Sequence, residues 1–259
     1  MSRGFTLIEM VITIILLGIV GLFLGNIAGQ AMGIYVDSTA REALIQQGRF
    51  ITERMSRELR EAVPNSVLVN DDQTCIEFLP ITNSAIYSAL PSAAGPFRLL
   101  PINKQVTQGE RLVVLPRDTQ SLLGYLSPNA EQIALIKESV VFDASNQLTM
   151  VDVAIAAANP FSLQSPAGRV YLYRDPVAYC YISSEQRMYR YQGYPLTRNQ
   201  LAPAQLGSGV LMAENISRAN FVVDVASLQR NGLIKIELTF ADRGEEVRFD
   251  HNALIYNTP

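Results

Sequence analysis

Tryptophan is absent from the 259 residues, histidine occurs once, at His251, and cysteine twice, at Cys75 and Cys180. A single histidine excludes a His-rich metal site and a multi-histidine active site. Two cysteines exclude a disulfide-scaffold miniprotein and any zinc site built from four cysteines. Charge is also scarce, at 17 % of residues against about 25 % for a typical soluble domain. The 21 basic and 24 acidic residues give a net charge of −3, without the basic excess of a nucleic-acid binder. A hydrophobic fraction of 48 % supplies a sizeable core, so full disorder is excluded and one or two domains are expected.

The shortage of charge is local. From Met10 to Val36 no residue is charged, and Met10–Leu24 is almost wholly apolar. An uncharged span longer than about 18 residues is a candidate for crossing a membrane as a helix. Proline is missing as well, because none occurs before Pro64. A secretory signal peptide with a small-x-small site at Gly29 and Ala31 is the alternative reading of this run. Against it, Glu9 sits in the front of the apolar stretch and the helical pattern continues past that site. Beyond Val36, apolar or small residues recur three or four positions apart at Leu44, Gly48, Ile51, Met55, Leu59 and Ala62. This is one helix face. The opposite face carries Arg49, Glu53, Arg54, Arg57, Glu58, Arg60 and Glu61. The pattern predicts one helix from about Phe5 to Val63, ended by Pro64, and roughly 85–90 Å long at ~1.5 Å per residue.

The segment Arg3-Gly4-Phe5-Thr6-Leu7-Ile8-Glu9-Met10-Val11 resembles the cleavage and methylation motif of type IV pilins and type II secretion pseudopilins. The resemblance implies cutting between Gly4 and Phe5 by a prepilin peptidase and N-methylation of Phe5. Glu9 matches the family's acidic residue at the fifth mature position. A carboxylate within a membrane segment costs ~2.5–3.5 kcal/mol at a helix centre on insertion scales, which marks it as functional. Cleavage frees an α-amine of reference pKa about 8, and methylation leaves its charge in place. Glu9 can then pair with the Phe5 amine of a neighbouring subunit. The bland alternative is a first-turn carboxylate favoured by the helix dipole.

Gly21, Gly25, Gly29 and Gly33 recur every fourth residue and form overlapping small-xxx-small motifs, which allow close helix approach. This fits packing of N-terminal helices in a filament core, although glycine is also simply commoner in membrane helices. Asn26 stands where many major pilins have proline, which removes the basis for a fixed kink.

From Asn65 onward, short β-branched and aromatic runs alternate with turn residues. Ser66–Val69, Cys75–Leu79, Arg111–Leu115, Ser139–Phe142, Arg169–Tyr173, Val177–Ile182, Arg187–Tyr191, Phe221–Val225, Leu233–Phe240 and Glu246–Phe249 read as antiparallel strands. Asp242-Arg243-Gly244 predicts a C-terminal hairpin turn. Residues 83–109 and 192–209 read as surface loops. The resemblance implies an α+β fold of the pilin-like ladle type, a long N-terminal helix with a transmembrane first half packed on an antiparallel β-sheet domain. It divides the chain into a leader at 1–4, a membrane and filament-core helix at 5–33, an amphipathic half at 34–63 and a periplasmic β-rich domain at 65–259.

The chain is longer than a typical major pilin and resembles the larger minor pilins and J-type pseudopilins. Three segments, Tyr35–Arg41, Arg57–Val67 and Tyr256–Pro259, are similar to the large minor pilin of mannose-sensitive haemagglutinin (MSHA) pilus biogenesis. In an oxidising periplasm Cys75 and Cys180 are expected to form a disulfide. It would staple two distant strands of one sheet across a loop of ~105 residues and stabilise by up to ~4–5 kcal/mol in the chain-entropy model.

No catalytic constellation is legible. Asp250 beside His251 reads as a surface pair, Asn70-Asp71-Asp72 as a turn before a strand rather than a calcium site, and Glu245-Glu246 as decoration of the hairpin turn. The tyrosines Tyr171, Tyr173, Tyr179, Tyr181, Tyr189, Tyr191 and Tyr194 read as core on one face, with an aromatic ligand patch as the alternative. The expectation is a minor pilin that is not an enzyme and uses no cofactor or metal. It is anchored once in the inner membrane and later carried to the tip of an extracellular pilus. Its expected partners are the prepilin peptidase, other minor and major pilins, the inner-membrane assembly platform and, before assembly, membrane lipid, with no nucleic acid. A J-like pseudopilin of type II secretion and a membrane-anchored enzyme or receptor are the alternatives.

Overall fold

The computed structural model describes residues 6–91, 96–101, 105–117, 119–123, 132–141, 151–155, 161–196, 200–224 and 232–255. One helix, α1, spans Leu7–Arg60, 54 residues, or ~80 Å at ~1.5 Å per residue. It ends before the expected Val63. Glu61 leaves the helical region at φ −94°, ψ 13°, Ala62 bridges Pro80, and the Val63 N–H donates to the Leu79 carbonyl at 2.8 Å. Sheet pairing therefore takes over the chain before Pro64 can act.

The apolar stripe of the second half of α1 buries as its spacing predicts. Leu44, Ile51, Met55 and Leu59 are all buried. They share a core with Phe221, Ile234, Ile236, Leu238, Phe240, Ala253 and Ile255, which belong to a three-stranded antiparallel sheet of Ile216–Asp224, Gly232–Asp242 and Glu245–Ile255. Burial alternates along the central strand, as a half-covered sheet requires. Arg243 (φ 50°) and Gly244 (φ 87°) turn the last two strands into a tight hairpin, the left-handed pair that a two-residue connection needs.

Helix and sheet touch most closely at Gly48. A Cβ added there would lie 1.9 Å from Cε2 of Phe249. Phe249 is itself held edge-on by Phe240, with ring centroids 5.7 Å apart. The buried hydroxyls flanking this contact bond back along the helix, Thr52 to the Gly48 carbonyl and Ser56 to the Thr52 carbonyl, both at 2.7 Å.

A second sheet orders Leu68–Val69, Cys75–Phe78, Val177–Ile182, Arg187–Gln192 and Val210–Ala213. A third orders Ile133–Leu135, Arg111–Val114, Arg169–Tyr173, Ile81–Tyr87, Pro96–Pro101 and Val151–Ala154. Every strand of this third sheet lies between Ile81 and Tyr173. The third sheet is thus an insertion between Cys75–Phe78 and Val177–Ile182, which pair directly with each other. It has its own core around Phe97, packed between Tyr87 and Phe161 at 5.5 and 5.2 Å.

Residues 83–109 are therefore not the surface loop that their proline and serine content predicts. The segment contains most of Ile81–Tyr87, all of Pro96–Pro101 and the short strand Gln105–Val106, which pairs Val140–Val141. Of residues 192–209, Gln192 ends the strand Arg187–Gln192, and 193–196 and 200–209 form loop with a 3₁₀ turn at Pro203–Gln205. They cover the second sheet with Tyr194, Leu201 and Leu206 rather than standing free in solvent.

Cys75 and Cys180 are bonded, with Cα atoms 4.1 Å apart. They are direct cross-strand neighbours, not members of distant strands in the sheet. Their sequence separation of 105 residues is the inserted sheet itself, so the bond clasps the base of the insertion.

Filling the Gly48 contact should be costly. Gly48→Leu is expected to destabilise the domain by about 1–3 kcal/mol, the usual range for overpacking, with a lowered midpoint in thermal unfolding. Adding Phe249→Ala should recover part of that loss, because the leucine then occupies the vacated ring space.

Candidate assembly interface

Among the described residues the first half of α1 packs against no other part of the chain. Thr6, extended at φ −82°, ψ 149°, caps the helix, and its carbonyl accepts the N–H groups of Glu9 and Met10 at 3.1 and 3.3 Å. Every residue from Thr6 to Thr39 is exposed. These include Leu7 at 83 %, Leu17 at 71 % and Leu22 at 73 %. Apolar surface of this extent on a folded chain marks contact with lipid or protein. The polar groups along it are handled locally: the Thr13 hydroxyl donates to the Met10 carbonyl at 2.9 Å and that of Thr39 to the Tyr35 carbonyl at 2.8 Å.

A Cβ placed on Gly21, Gly25, Gly29 or Gly33 meets nothing within 4 Å. The stripe is therefore not shaped around another part of this chain, and its small surface is available to a helix from outside. Glu9 stands in the first turn as the acidic residue there. Gly4 and Phe5, the expected cleavage pair, lie outside the described residues, as does the segment Tyr256–Pro259.

The remaining predicted sites have structural roles. Asp250 and His251 project from opposite faces of one strand, as successive strand residues must. Asp250 accepts from Arg248 Nε at 3.0 Å on the exposed face, while His251 is half-buried on the helix-facing side. They form no dyad and no surface pair. The Asn70 side chain closes a turn, its Oδ1 accepting the N–H groups of Thr74 at 2.9 Å and Cys75 at 2.8 Å. That geometry uses the oxygen a cation would need. Among the described residues no group of three or more His, Cys, Asp or Glu is placed to hold a metal ion. Glu245 reaches Arg41 at 3.5 Å across the helix–hairpin boundary.

Of the seven tyrosines, all but Tyr189 are buried, so they form core rather than a ligand patch. The Tyr181 hydroxyl donates to the Ile216 carbonyl at 2.9 Å and that of Tyr194 to Glu77 at 2.7 Å.

Residues 1–25 match the family described as the prokaryotic N-terminal methylation motif. The chain carries the type IV pilin and pseudopilin signal. No curated protein and no solved structure matches the chain. The match covers the N-terminal segment, and such a signal implies prepilin peptidase processing and a pilin assembly context in general. Its N-terminal helix is long and apolar enough to cross a membrane, in keeping with that signal.

The pilin-like helix is also tied to the domain by charge, through a pairing that no local pattern reveals. Glu58 accepts from Arg54 Nε at 3.1 Å and from Arg190 Nε, in the second sheet, at 3.0 Å. The Arg190 guanidinium lies 6.0 Å above the Tyr179 ring, a cation–π distance. Burial, and then the negative charge of Glu58, push the Tyr179 phenol up to about 12. Because the folded value lies above the unfolded value of about 10, the associated stability is fully present below pH 10. It is lost as the pH rises through about 12. Unfolding free energy measured by denaturant titration should thus fall between these two pH values. Tyr179→Phe should show a smaller fall over the same window.

Proposed function

We propose that this chain is a minor pilin of a type IV pilus, similar to the large minor pilin of MSHA pilus biogenesis, which helps initiate assembly or form the filament tip. The observation that carries this reading is the wholly exposed apolar helix Leu7–Thr39, headed by Glu9 within a methylation motif. Before assembly the helix crosses the inner membrane once and the domain of residues 65–259 faces the periplasm. Residues 1–4 are removed after Gly4, and the amine of Phe5 is methylated.

Assembly transfers the helix from lipid to the helices of other pilins. The exposed faces of Gly21, Gly25, Gly29 and Gly33 allow close approach, and Glu9 neutralises the Phe5 amine of a neighbour. Pairing two charges that would otherwise enter an apolar core singly is strongly favoured, since an unpaired buried charge is costly. The inserted sheet adds a bulky second layer to the domain. Such bulk crowds a densely repeated shaft and suits a low-copy position at the tip.

Intact-mass and N-terminal analysis of the chain extracted from membranes should find residues 1–4 missing and one methyl group on Phe5. Retention of Met1, or an N-terminus near Ala31, would overturn the pilin reading. Glu9→Ala should be processed normally and enter sheared filaments about tenfold less well or worse, the effect of losing ~1.4 kcal/mol per docking step. Incorporation equal to that of the unaltered chain would remove the charge pairing.

A further inference from the structure

The two edges of the helix-bearing sheet are treated differently. Along Ile216–Asp224 two backbone N–H groups are engaged by turns of the second sheet. The Phe221 N–H donates to the Gln73 carbonyl and that of Ile216 to the Gln186 carbonyl, both at 2.9 Å. A register shift between Ile216 and Arg218 distorts this edge further.

The opposite edge, Glu245–Ile255, runs eleven residues in unbroken register with its neighbour. The hairpin closes on Asp242 and Glu245, which fixes the alternation of bonded and non-bonded pairs. Glu245, Val247, Phe249, His251, Ala253 and Ile255 direct their N–H and C=O groups inward. Those of Glu246, Arg248, Asp250, Asn252 and Leu254 point outward, and among the described residues no backbone group bonds to them. The strand contains neither proline nor lysine and has no bulge, so its outward backbone groups stay in register for pairing, and its charged side chains Glu246, Arg248 and Asp250 restrict which strand can pair.

We propose that Glu245–Ile255 is a docking edge that accepts an extended strand from a different subunit, adding a fourth strand to the sheet. The partner's chemistry follows from the two rows flanking the edge. On the solvent side Arg248 is paired with Asp250 at 3.0 Å, so the added strand carries a basic residue opposite Glu246. On the helix side it continues the row of Val247 and Phe249 with apolar residues. Leu254, 46 % exposed, is covered at the end of the added strand. Backbone bonds supply affinity and these alternate side chains supply selectivity, as in other strand-addition complexes.

A second copy of this chain does not fit. Antiparallel pairing of the edge with itself needs a two-fold axis normal to the sheet, which points the two membrane helices in opposite directions. Parallel self-pairing sets the charged row of one copy beside the apolar row of the other. Head-to-tail stacking would use the Ile216–Asp224 edge, where the Ile216 and Phe221 N–H groups are already bonded and the register shift breaks the regular ladder.

The inference rests on the filament reading for where the partner is found, and on the open edge for how it binds. The test uses the full chain in cells that assemble the filament. Arg248→Pro and Asn252→Pro each remove an outward N–H while sparing the internal ladder. Both variants should be processed, keep the Cys75–Cys180 bond and enter filaments about tenfold less well, whereas Arg248→Ala and Asn252→Ala should enter normally. Normal entry of the proline variants, or equal failure of the alanine variants, would overturn the proposal.

A photo-reactive amino acid replacing Asn252 provides a readout that no refolding defect of the proline variants can confuse. It should form an adduct with an extended segment of another subunit. An adduct only with a second copy, or none, would overturn the proposal. The expected adduct in membranes of cells whose filaments exclude the chain would keep the docking edge and remove the filament reading.

Discussion

An apolar helix surface that its own chain cannot cover is the constraint on which the remaining structure depends. From Leu7 to Thr39 no residue is buried, and at ~25 cal/mol per Å² such exposure is strongly unfavourable in water. Such a surface calls for cover from outside the described residues, and in the proposed reading that cover is first lipid and then other helices. Both environments lack water, which is why that reading gives the single carboxylate at the front of the run its weight. On the same reading the domain must hold the helix firmly at one end while leaving the other free.

The grip on the second half of α1 combines two kinds of contact. Close packing at Gly48 and Phe249 sets the separation of helix and sheet, and its steric fit tolerates no added side chain. The Glu58–Arg190 pair fixes the same helix against the second sheet. Side-chain exposures of 20 % and 14 % put that pair between the weak surface case and the fully buried one, where desolvation can cancel the attraction. The disulfide lies on a different path. By joining Cys75 to Cys180 it closes the root of the inserted sheet, so the insertion can elaborate the head without loosening the strands that bear on the helix.

The helix was the most legible part of the sequence because its signal is periodic and local. The charge-free run, the apolar stripe and the stop near Pro64 all survive in the structure, apart from the last turn. The C-terminal hairpin was legible for the same reason, through Arg243-Gly244 and the alternation before it. The inserted sheet was not. In Ile81–Tyr87 the buried positions include Asn83 and Ala85 while Ile86 is exposed, so the polar pattern contradicts the strand. Asn83 resolves the contradiction by donating to the Gln105 carbonyl at 2.9 Å. Prolines at both ends of Pro96–Pro101 read as loop because nothing local reveals their partners. The cysteines announced a bond, but only the topology shows that they are neighbours and what they enclose. Glu58 and Arg190 are 132 residues apart, and the open edge is a property of the assembled sheet, so neither leaves a mark in a single sequence.

Thermal unfolding of the chain lacking residues 1–33 tests the central claim most directly. If the first half of α1 serves only lipid and other subunits, this shortened chain will be soluble and monomeric. It will also unfold within about 2–4 °C of the full chain in detergent, a shift worth no more than ~1 kcal/mol at this size. Aggregation of the shortened chain, or a much lower midpoint, would show that the apolar half is part of the domain's own core and would contradict the account.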